Sequence, residues 1–129
     1  INTRPIEWEE HQEWFSRKIS QKDYLFYLAL DKKDNFIGQI RFEIENDYAV
    51  TSISISGEFR GKGLSKKIIK TGCSKIFTEH HSIKKIIAYI RPENNVSINS
   101  FTSSGFTLVG DELINGHIFM KYILERDEK

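Results

Sequence analysis

The chain has 129 residues with a formal net charge of +1, and 39% of them are hydrophobic, which suits one domain with a single packed core. The balanced charge argues against nucleic-acid binding driven by bulk positive charge, and no apolar run reaches membrane-spanning length. The single cysteine, Cys73, provides neither an internal disulfide nor a multi-thiolate metal site, and with no visible secretory segment it predicts a cytoplasmic protein.

The first half of the chain predicts one helix and three strands. Residues 5–20 begin with proline and repeat large apolar side chains at helical spacing, with acids early and bases late. Residues 24–30 and 36–46 predict a hairpin, because apolar and polar residues alternate in the second of them. Residues 48–56 repeat this alternation and predict a third antiparallel strand.

The second half predicts two more helices and three more strands. Residues 63–79 carry an apolar stripe at near-helical spacing, and residues 84–90 form an apolar run typical of a buried strand. A short helix follows, begun by Asn94 and stopped by Gly105, and the remaining residues predict a closing pair of strands. This order predicts an α/β domain with a mixed, mostly antiparallel sheet flanked by helices.

A glycine-rich, basic turn joins the third strand to the second helix, with the sequence ISGEFRGKGLSKKIIKTG over residues 55–72. Backbone N–H groups at a helix N-terminus form an anion site, and glycine lets that backbone approach phosphate oxygens closely. Arg60 and Lys62 add positive charge there. The spacing fits neither a Walker turn nor a GxGxxG fingerprint. The turn predicts a phosphate site, with an ordinary strand-to-helix turn as the alternative.

Two segments resemble the markers of the GNAT superfamily of acetyl-CoA-dependent N-acetyltransferases. The first has serine where the family ends its turn with glycine or alanine, and reads Arg60-Gly61-Lys62-Gly63-Leu64-Ser65. The second is RPENNVSINSFTSSGF, which matches an Asn-x-x-Ser helix ending in Gly-Phe at Asn94, Ser97, Gly105 and Phe106. The resemblance covers residues 5–124 and implies a GNAT-like sheet.

The resemblance implies that acetyl-CoA is the co-substrate and that no metal takes part. The amides of residues 60–65 would hold its pyrophosphate, and the strand before them would pair with the pantetheine arm like an added strand. Asn94 and Ser97 would lie beside that arm, the alternative being a helix cap and a solvated hydroxyl. Amides near Ile55 would polarise the thioester carbonyl. The implied cofactor-binding residues are Ile53, Ser54, Ile55, Arg60, Gly61, Lys62, Gly63, Leu64, Ser65, Asn94 and Ser97.

The chain departs from the family pattern in two places. Members usually begin with a strand and a helix ahead of the segment that corresponds to EWEEHQEWF, and this chain lacks both. The single domain of residues 1–129 is therefore expected to be a fragment or to be completed by a neighbour, which allows a homodimer. Many members also place a tyrosine where this chain has Phe101, and that tyrosine protonates the departing thiolate. The general acid is therefore missing.

The acceptor side has its own candidates. The candidate acceptor-binding residues are His11, Arg41 and Glu43. Glu43 is also the candidate general base, acting through water, although such positions are often simply the wet side of a sheet, and His11 also suits packing. Trp14 and Tyr27 are expected either to line an acceptor cleft or to pack against the protein. His80 and His81, at a predicted helix end, have no third ligand at recognisable spacing and predict no metal site.

We expect acetyl transfer from acetyl-CoA to a small-molecule primary amine of low pKa, by direct attack of the neutral amine on the thioester. A nucleotide-linked amino sugar is the expected acceptor, because neighbouring oxygens acidify its amine. The segments EEHQEWF, GQIRFEIE and SISIS also resemble sugar N-acetyltransferases of bacterial surface-glycan pathways. The alternatives are a ribosomal-type protein N-terminal acetyltransferase, a non-catalytic CoA-binding domain, and a phosphate-binding module unrelated to CoA.

Overall fold

The computed structural model describes residues 23–31, 33–59 and 63–127. The elements within these residues are β1 (Asp23–Leu30), β2 (Phe36–Glu45), β3 (Tyr48–Ile55), a 3₁₀ turn (Gly57–Phe59), α1 (Leu64–Glu79), β4 (Lys85–Ile90), α2 (Asn95–Ser103), β5 (Thr107–Ile114) and β6 (His117–Glu125). The helix predicted over residues 5–20 lies outside the described residues. Neither α1 nor α2 is long and apolar enough to span a membrane.

The strands form one sheet in the order β1-β2-β3-β4-β6-β5. Neighbouring strands are antiparallel except β3 and β4, which run parallel and are connected through α1. A parallel pair needs a long crossover connection, and this helix provides it. The predicted mixed, mostly antiparallel sheet is confirmed, and so is the third antiparallel strand.

Alternating side chains give β2 two different faces. Ile40 and Phe42 are fully buried, whereas Arg41 between them is exposed. Ile40 and Phe42 point to the face of the sheet that carries α1, which we call the helix face. The helix approaches so closely that a Cβ on Gly72 would lie 2.8 Å from Cγ2 of Ile40. Glycine at this position is therefore what lets α1 pack directly on β2.

Helix α1 buries an apolar stripe against the sheet, close to the stripe predicted from the sequence. Its buried apolar side chains are Leu64, Ile68, Ile69, Cys73 and Ile76. Phe77, which also belonged to the predicted stripe, is only partly buried. Burial raises the pKa of the Cys73 thiol, so this thiol stays protonated at neutral pH and is a poor nucleophile.

Helix α2 has the ends that the sequence predicts. The Asn94 side chain accepts a hydrogen bond from the Ser97 N–H at 3.2 Å and so caps the first turn. Gly105 follows the helix with a φ of 103°, which an L side chain rarely adopts. Phe101 lies within the helix and packs edge-on against Phe106, with ring centroids 5.0 Å apart.

Tyr27 belongs to the core and does not line an acceptor cleft. Its side chain is 1% exposed, and its hydroxyl donates a hydrogen bond to Oε1 of Glu79 at 3.1 Å. Burial and the Glu79 carboxylate raise the pKa of Tyr27, so the phenol stays protonated. The contact ties β1 to the last turn of α1. Trp14, the other aromatic candidate, lies outside the described residues.

Candidate functional site

The parallel pairing of β3 with β4 stops partway along both strands. It runs from Tyr48 with Lys85 to Thr51 with Ala88. Beyond that point β3 continues to Ile55 and β4 continues to Ile90 without further pairing between these two strands. The strands therefore separate and leave a cleft in the middle of the sheet.

The peptide groups of Ile53 point into this cleft. In an antiparallel pair, the hydrogen-bonding groups of successive residues point alternately to the two sides of a strand. The Ser56 N–H donates to the Ile37 carbonyl at 2.8 Å, on the β2 side. Ile53, an odd number of residues before Ser56, therefore directs its N–H and C=O groups to the other side, towards β4. Groups in this direction suit pairing with an extended ligand.

A cavity of about 180 Å³ lies where the two strands separate. Its walls come from β3, β4, α2, β6 and the residues after β4. Among the residues that line it are Ile53, Arg91, Asn94, Ser97, Phe101 and Phe119. Three of the predicted cofactor-binding residues thus meet there. Of the other two predicted on β3, Ser54 is exposed and Ile55 is not part of the lining.

The 3₁₀ turn follows β3, and α1 begins at Leu64 with Gly63 as its N-cap residue. Gly63 is left-handed, with φ 73° and ψ 13°, and no side chain of the described residues caps the helix. A Cβ on Gly63 would have no described atom within 4 Å. An uncapped helix start next to open space is what an anion site requires. Leu64 is buried and Ser65 partly buried, whereas Arg60, Gly61 and Lys62 lie outside the described residues.

Asn94 and Ser97 lie both at the start of α2 and at the cleft. They cap α2, and both also line the cleft. The cap uses Oδ1 of Asn94 and the backbone N–H of Ser97. The amide nitrogen of Asn94 and the hydroxyl of Ser97 take no part in this bond.

The candidate acceptor residues do not meet in the cleft. Arg41 and Glu43 lie on β2, and β3 stands between them and the cleft. Arg41 is exposed, and its guanidinium carbon lies 5.2 Å from the ring centroid of Phe26 and 6.0 Å from that of Tyr24. Glu43 is half-buried opposite Val50. His11 lies outside the described residues.

Sequence reasoning missed two residues of the cleft, Arg91 and Phe119. The guanidinium carbon of Arg91 lies 5.6 Å from the ring centroid of Phe119, and its Nη2 lies 3.2 Å from Oε2 of Glu93. The Arg91–Phe119 contact depends on the register between β4 and β6, which no local pattern reports. The only local signal is Pro92, because a residue before proline favours an extended backbone.

A larger cavity, of about 690 Å³, lies between α1 and the end of β6. Cys73 and Phe77 form part of its wall, and none of the predicted site residues lines it. In the described part of the chain, no group of three or more His, Cys, Asp or Glu side chains is placed to hold a metal ion. The predicted cofactor-binding residues that line a cavity, Ile53, Asn94 and Ser97, thus all lie at the smaller cleft.

Comparison with solved structures finds the same fold in known acetyltransferases. Spermidine N-acetyltransferase from Vibrio cholerae, in complex with CoA and spermine, has a TM-score of 0.71 at 23% identity, over 79% of this chain and 65% of that chain. Ribosomal-protein-S5-alanine acetyltransferase from Vibrio fischeri has a TM-score of 0.72 at 19% identity, over 81% of this chain and 63% of that chain. The chain thus spans less than two thirds of the length of these neighbours.

The sequence comparisons define the family. None of the curated proteins is significantly similar to the chain in sequence. A family model described as the acetyltransferase (GNAT) domain matches residues 1–107. This match includes the glycine turn and the helix that begins after Asn94, the two segments on which the resemblance was based. Since it covers well over half of the chain, the protein belongs to the GNAT acetyltransferase family.

Proposed function

We propose that this protein is an acetyl-CoA-dependent N-acetyltransferase. The observation that carries the proposal is the position of two features at the same end of β3. One is the cleft that opens after Thr51 and Ala88, and the other is the uncapped start of α1 at Gly63. An extended ligand with a phosphate group at one end fits this pair of features, and acetyl-CoA is such a ligand.

The residues of the cleft have separate parts in this proposal. The first amides of α1, with Arg60 and Lys62, bind the pyrophosphate. The backbone of Ile53 pairs with the pantetheine arm, and Asn94 and Ser97 contact the same arm from α2. The Ile53 N–H, which points into the cleft just past the last β3–β4 pair, is placed to polarise the thioester carbonyl. In this proposal the Ile53 N–H polarises the carbonyl, the role that the sequence analysis assigned to amides near Ile55.

Acetyl-CoA supplies an acetyl group on an activated thioester. The neutral acceptor amine forms a C–N bond to the acetyl carbon while the C–S bond breaks, so the amine loses one proton and the sulfur gains one. Phe101 lines the cleft and has no hydroxyl to give this proton. Glu43, one strand away, would have to act through water. None of the described residues that line the cleft carries a carboxylate or an imidazole, and such a site favours an acceptor that is already neutral.

The proposed acceptor is therefore a primary amine of low pKa. A nucleotide-linked amino sugar is our first candidate, and the α-amino group of a protein N-terminus is the second. The named activities of the structural neighbours concern spermidine and a ribosomal protein, so they favour an amine in general and lend no support to the amino sugar.

A homodimer is part of the same proposal. Strand β5 is the edge of the sheet, and next to that edge Leu113 is 71% exposed and Ile118 is 54% exposed. Exposed apolar side chains beside a strand edge are a common interface for a second chain. The neighbouring spermidine N-acetyltransferase is described as dodecameric. Light scattering of the protein and of Leu113→Lys tests this association, and a monomeric wild-type protein contradicts it.

Two measurements test the central proposal. The first is titration with acetyl-CoA, since a ligand at a hundredfold excess over its Kd stabilises the native state by about 2.7 kcal/mol and raises the melting temperature. The second is release of free CoA thiol in the presence of an amine. Binding without thiol release identifies the non-catalytic CoA-binding alternative. Absence of both binding and release leaves only the phosphate-binding alternative.

A further inference from the structure

Arg91 places a buried hydrogen-bond donor at the cleft that has no acceptor among the described residues. Its Nε atom is buried, and no acceptor among the described residues receives its hydrogen. The same residue lines the cleft together with Asn94 and Ser97. A buried donor without an acceptor is unfavourable, and native proteins rarely keep one without a reason. A ligand oxygen in the cleft would provide the missing acceptor.

The surroundings of Arg91 hold its guanidinium at the cleft. The last β4–β6 pair is Ile90 with Met120, so Arg91 comes next to Phe119 and stacks on its ring. Glu93 engages Nη2 at 3.2 Å. The side chain is still 42% exposed. A ligand that enters the cleft can therefore approach the guanidinium.

Arg91 lies on the face of the sheet opposite to the proposed phosphate site. Helix α1 packs on the helix face, to which Ala88 and Ile90 also point because they continue the row of Phe42 and Thr51. By alternation, Arg91 points to the opposite face. An acetyl-CoA molecule bound at the start of α1 reaches the cleft from the helix face. The acceptor then enters from the face that carries Arg91.

We infer that Arg91 binds the amine acceptor by donating a hydrogen bond to an oxygen on the carbon next to the one that bears the amine. This inference rests on the proposed function. The planar guanidinium suits an oxygen acceptor, whereas its charge repels a second ammonium group. An α-amino amide carries a carbonyl oxygen at that position, and a 2-amino sugar carries hydroxyl oxygens there. An alkylamine or a polyamine carries none.

The test is a comparison of three amines in the thiol-release assay, namely glycinamide, glucosamine and propylamine. Arg91→Met keeps an apolar side chain of similar length against Phe119 and removes every donor. We expect it to raise the KM of glycinamide and glucosamine roughly tenfold or more, the usual effect of losing a charged hydrogen bond. The kcat/KM for propylamine and the KM for acetyl-CoA should stay unchanged.

Two further variants separate binding from a structural role. Arg91→Lys keeps the charge without the Nε donor and should recover part of the loss, and it also serves if Arg91→Met does not fold. Glu93→Gln breaks the ion pair but keeps all donors of Arg91, so its kinetics should resemble the wild type. If Arg91→Met raises the KM of glycinamide more than that of glucosamine, the partner of Arg91 is a carbonyl oxygen. If it raises the KM of glucosamine more, the partner is a hydroxyl oxygen.

Three results would overturn the inference. An equal loss of kcat/KM with all three amines in Arg91→Met means that Arg91 only supports the fold. A higher KM for acetyl-CoA alone means that it contacts the pantetheine. A wild-type preference for propylamine means that no acceptor oxygen is recognised. Failure of the proposed function looks different, because the wild-type protein would then release no thiol with any of the three amines.

Discussion

At the scale of single residues, Gly63 has a left-handed backbone conformation and lies at the proposed binding site for the pyrophosphate of acetyl-CoA. Its φ of 73° is a conformation that L side chains adopt only under strain, and the space around the missing Cβ is open. Gly63→Glu should therefore fold with a loss of about 1–2 kcal/mol in stability. Its carboxylate would occupy the start of α1 and repel a pyrophosphate, so acetyl-CoA binding should be lost by calorimetry.

Gly116 provides a matched control for this prediction. It has a φ of 81° and no described atom near its missing Cβ, but it lies in the turn between β5 and β6. Gly116→Glu should lose a similar amount of stability and keep its affinity for acetyl-CoA. If Gly63→Glu binds acetyl-CoA as tightly as Gly116→Glu does, the pyrophosphate site lies elsewhere.

Phe101 stands where many members of the family have a tyrosine whose hydroxyl protonates the departing thiolate. Its ring is buried against Phe106 and lines the cavity. Phe101→Tyr would place a proton donor there, so kcat should stay unchanged or rise, by no more than the 10²-fold to roughly 10⁴-fold range of general acids. Phe106→Tyr, which adds the same atom outside the cleft lining, controls for the effect on packing. A large loss of kcat in folded Phe101→Tyr would mean that the ring itself positions the substrate.

At the scale of elements, α1 is held at its end by a residue far away in the chain. The Arg126 guanidinium donates to the carbonyls of Phe77, His80 and Ile83 at 2.7–2.8 Å, and its carbon lies 4.7 Å from the ring centroid of Phe77. Phe77 lies in the last turn of α1, where carbonyls have no partner within the helix, so Arg126 supplies a partner for it. His80 and Ile83 follow the end of the helix. It also ties the end of β6 to the helix.

Arg126→Met should therefore destabilise the fold. Each charged hydrogen bond contributes about 1.5–3 kcal/mol, and we expect a total loss of about 3 kcal/mol because Phe77 and His80 are partly exposed and their carbonyls regain water, whereas Ile83 is buried. The denaturant midpoint measures this loss. Lys67→Met, on the exposed side of the same helix, should change the stability by less than about 0.5 kcal/mol. Equal midpoints for the two variants would show that Arg126 does not hold the helix.

The elements themselves could be predicted because each has a local cause. The alternation around Ile40 and Phe42 defines β2, and the Asn94 cap with Gly105 defines α2. The contacts of Arg126 and Tyr27 could not be predicted, since they join residues 43 to 52 positions apart. Such contacts depend on how the elements pack, and no pattern within one element records that.

At the scale of the whole molecule, the site is produced by the register between strands. The phosphate turn and Asn94 carry sequence signals, but the cleft exists because the β3–β4 ladder ends at Thr51 and Ala88. The same register places Arg91 at the cleft and keeps Glu43 one strand away from it. Ile53, Asn94 and Ser97, which the sequence assigned to the cofactor, therefore meet at the cleft, whereas the acceptor candidates Arg41 and Glu43 lie across β3 from it.

The whole arrangement predicts a particular dependence of the reaction on pH. Only the neutral amine attacks, and at pH 7 about one in ten α-amino groups of pKa 7.7–8.0 is neutral, against about one in 2,500 lysine side chains of pKa 10.4. Without a base in the cleft, kcat/KM for a peptide N-terminus or an amino sugar should rise with pH and level off above about pH 8. For a lysine peptide it should stay far lower and keep rising to about pH 10. Thiol-release rates for the three acceptors, measured from pH 6 to 10, test this order. A preference for the lysine peptide at pH 7 would show that a base assists the amine. It would also show that the site does not select acceptors by low pKa.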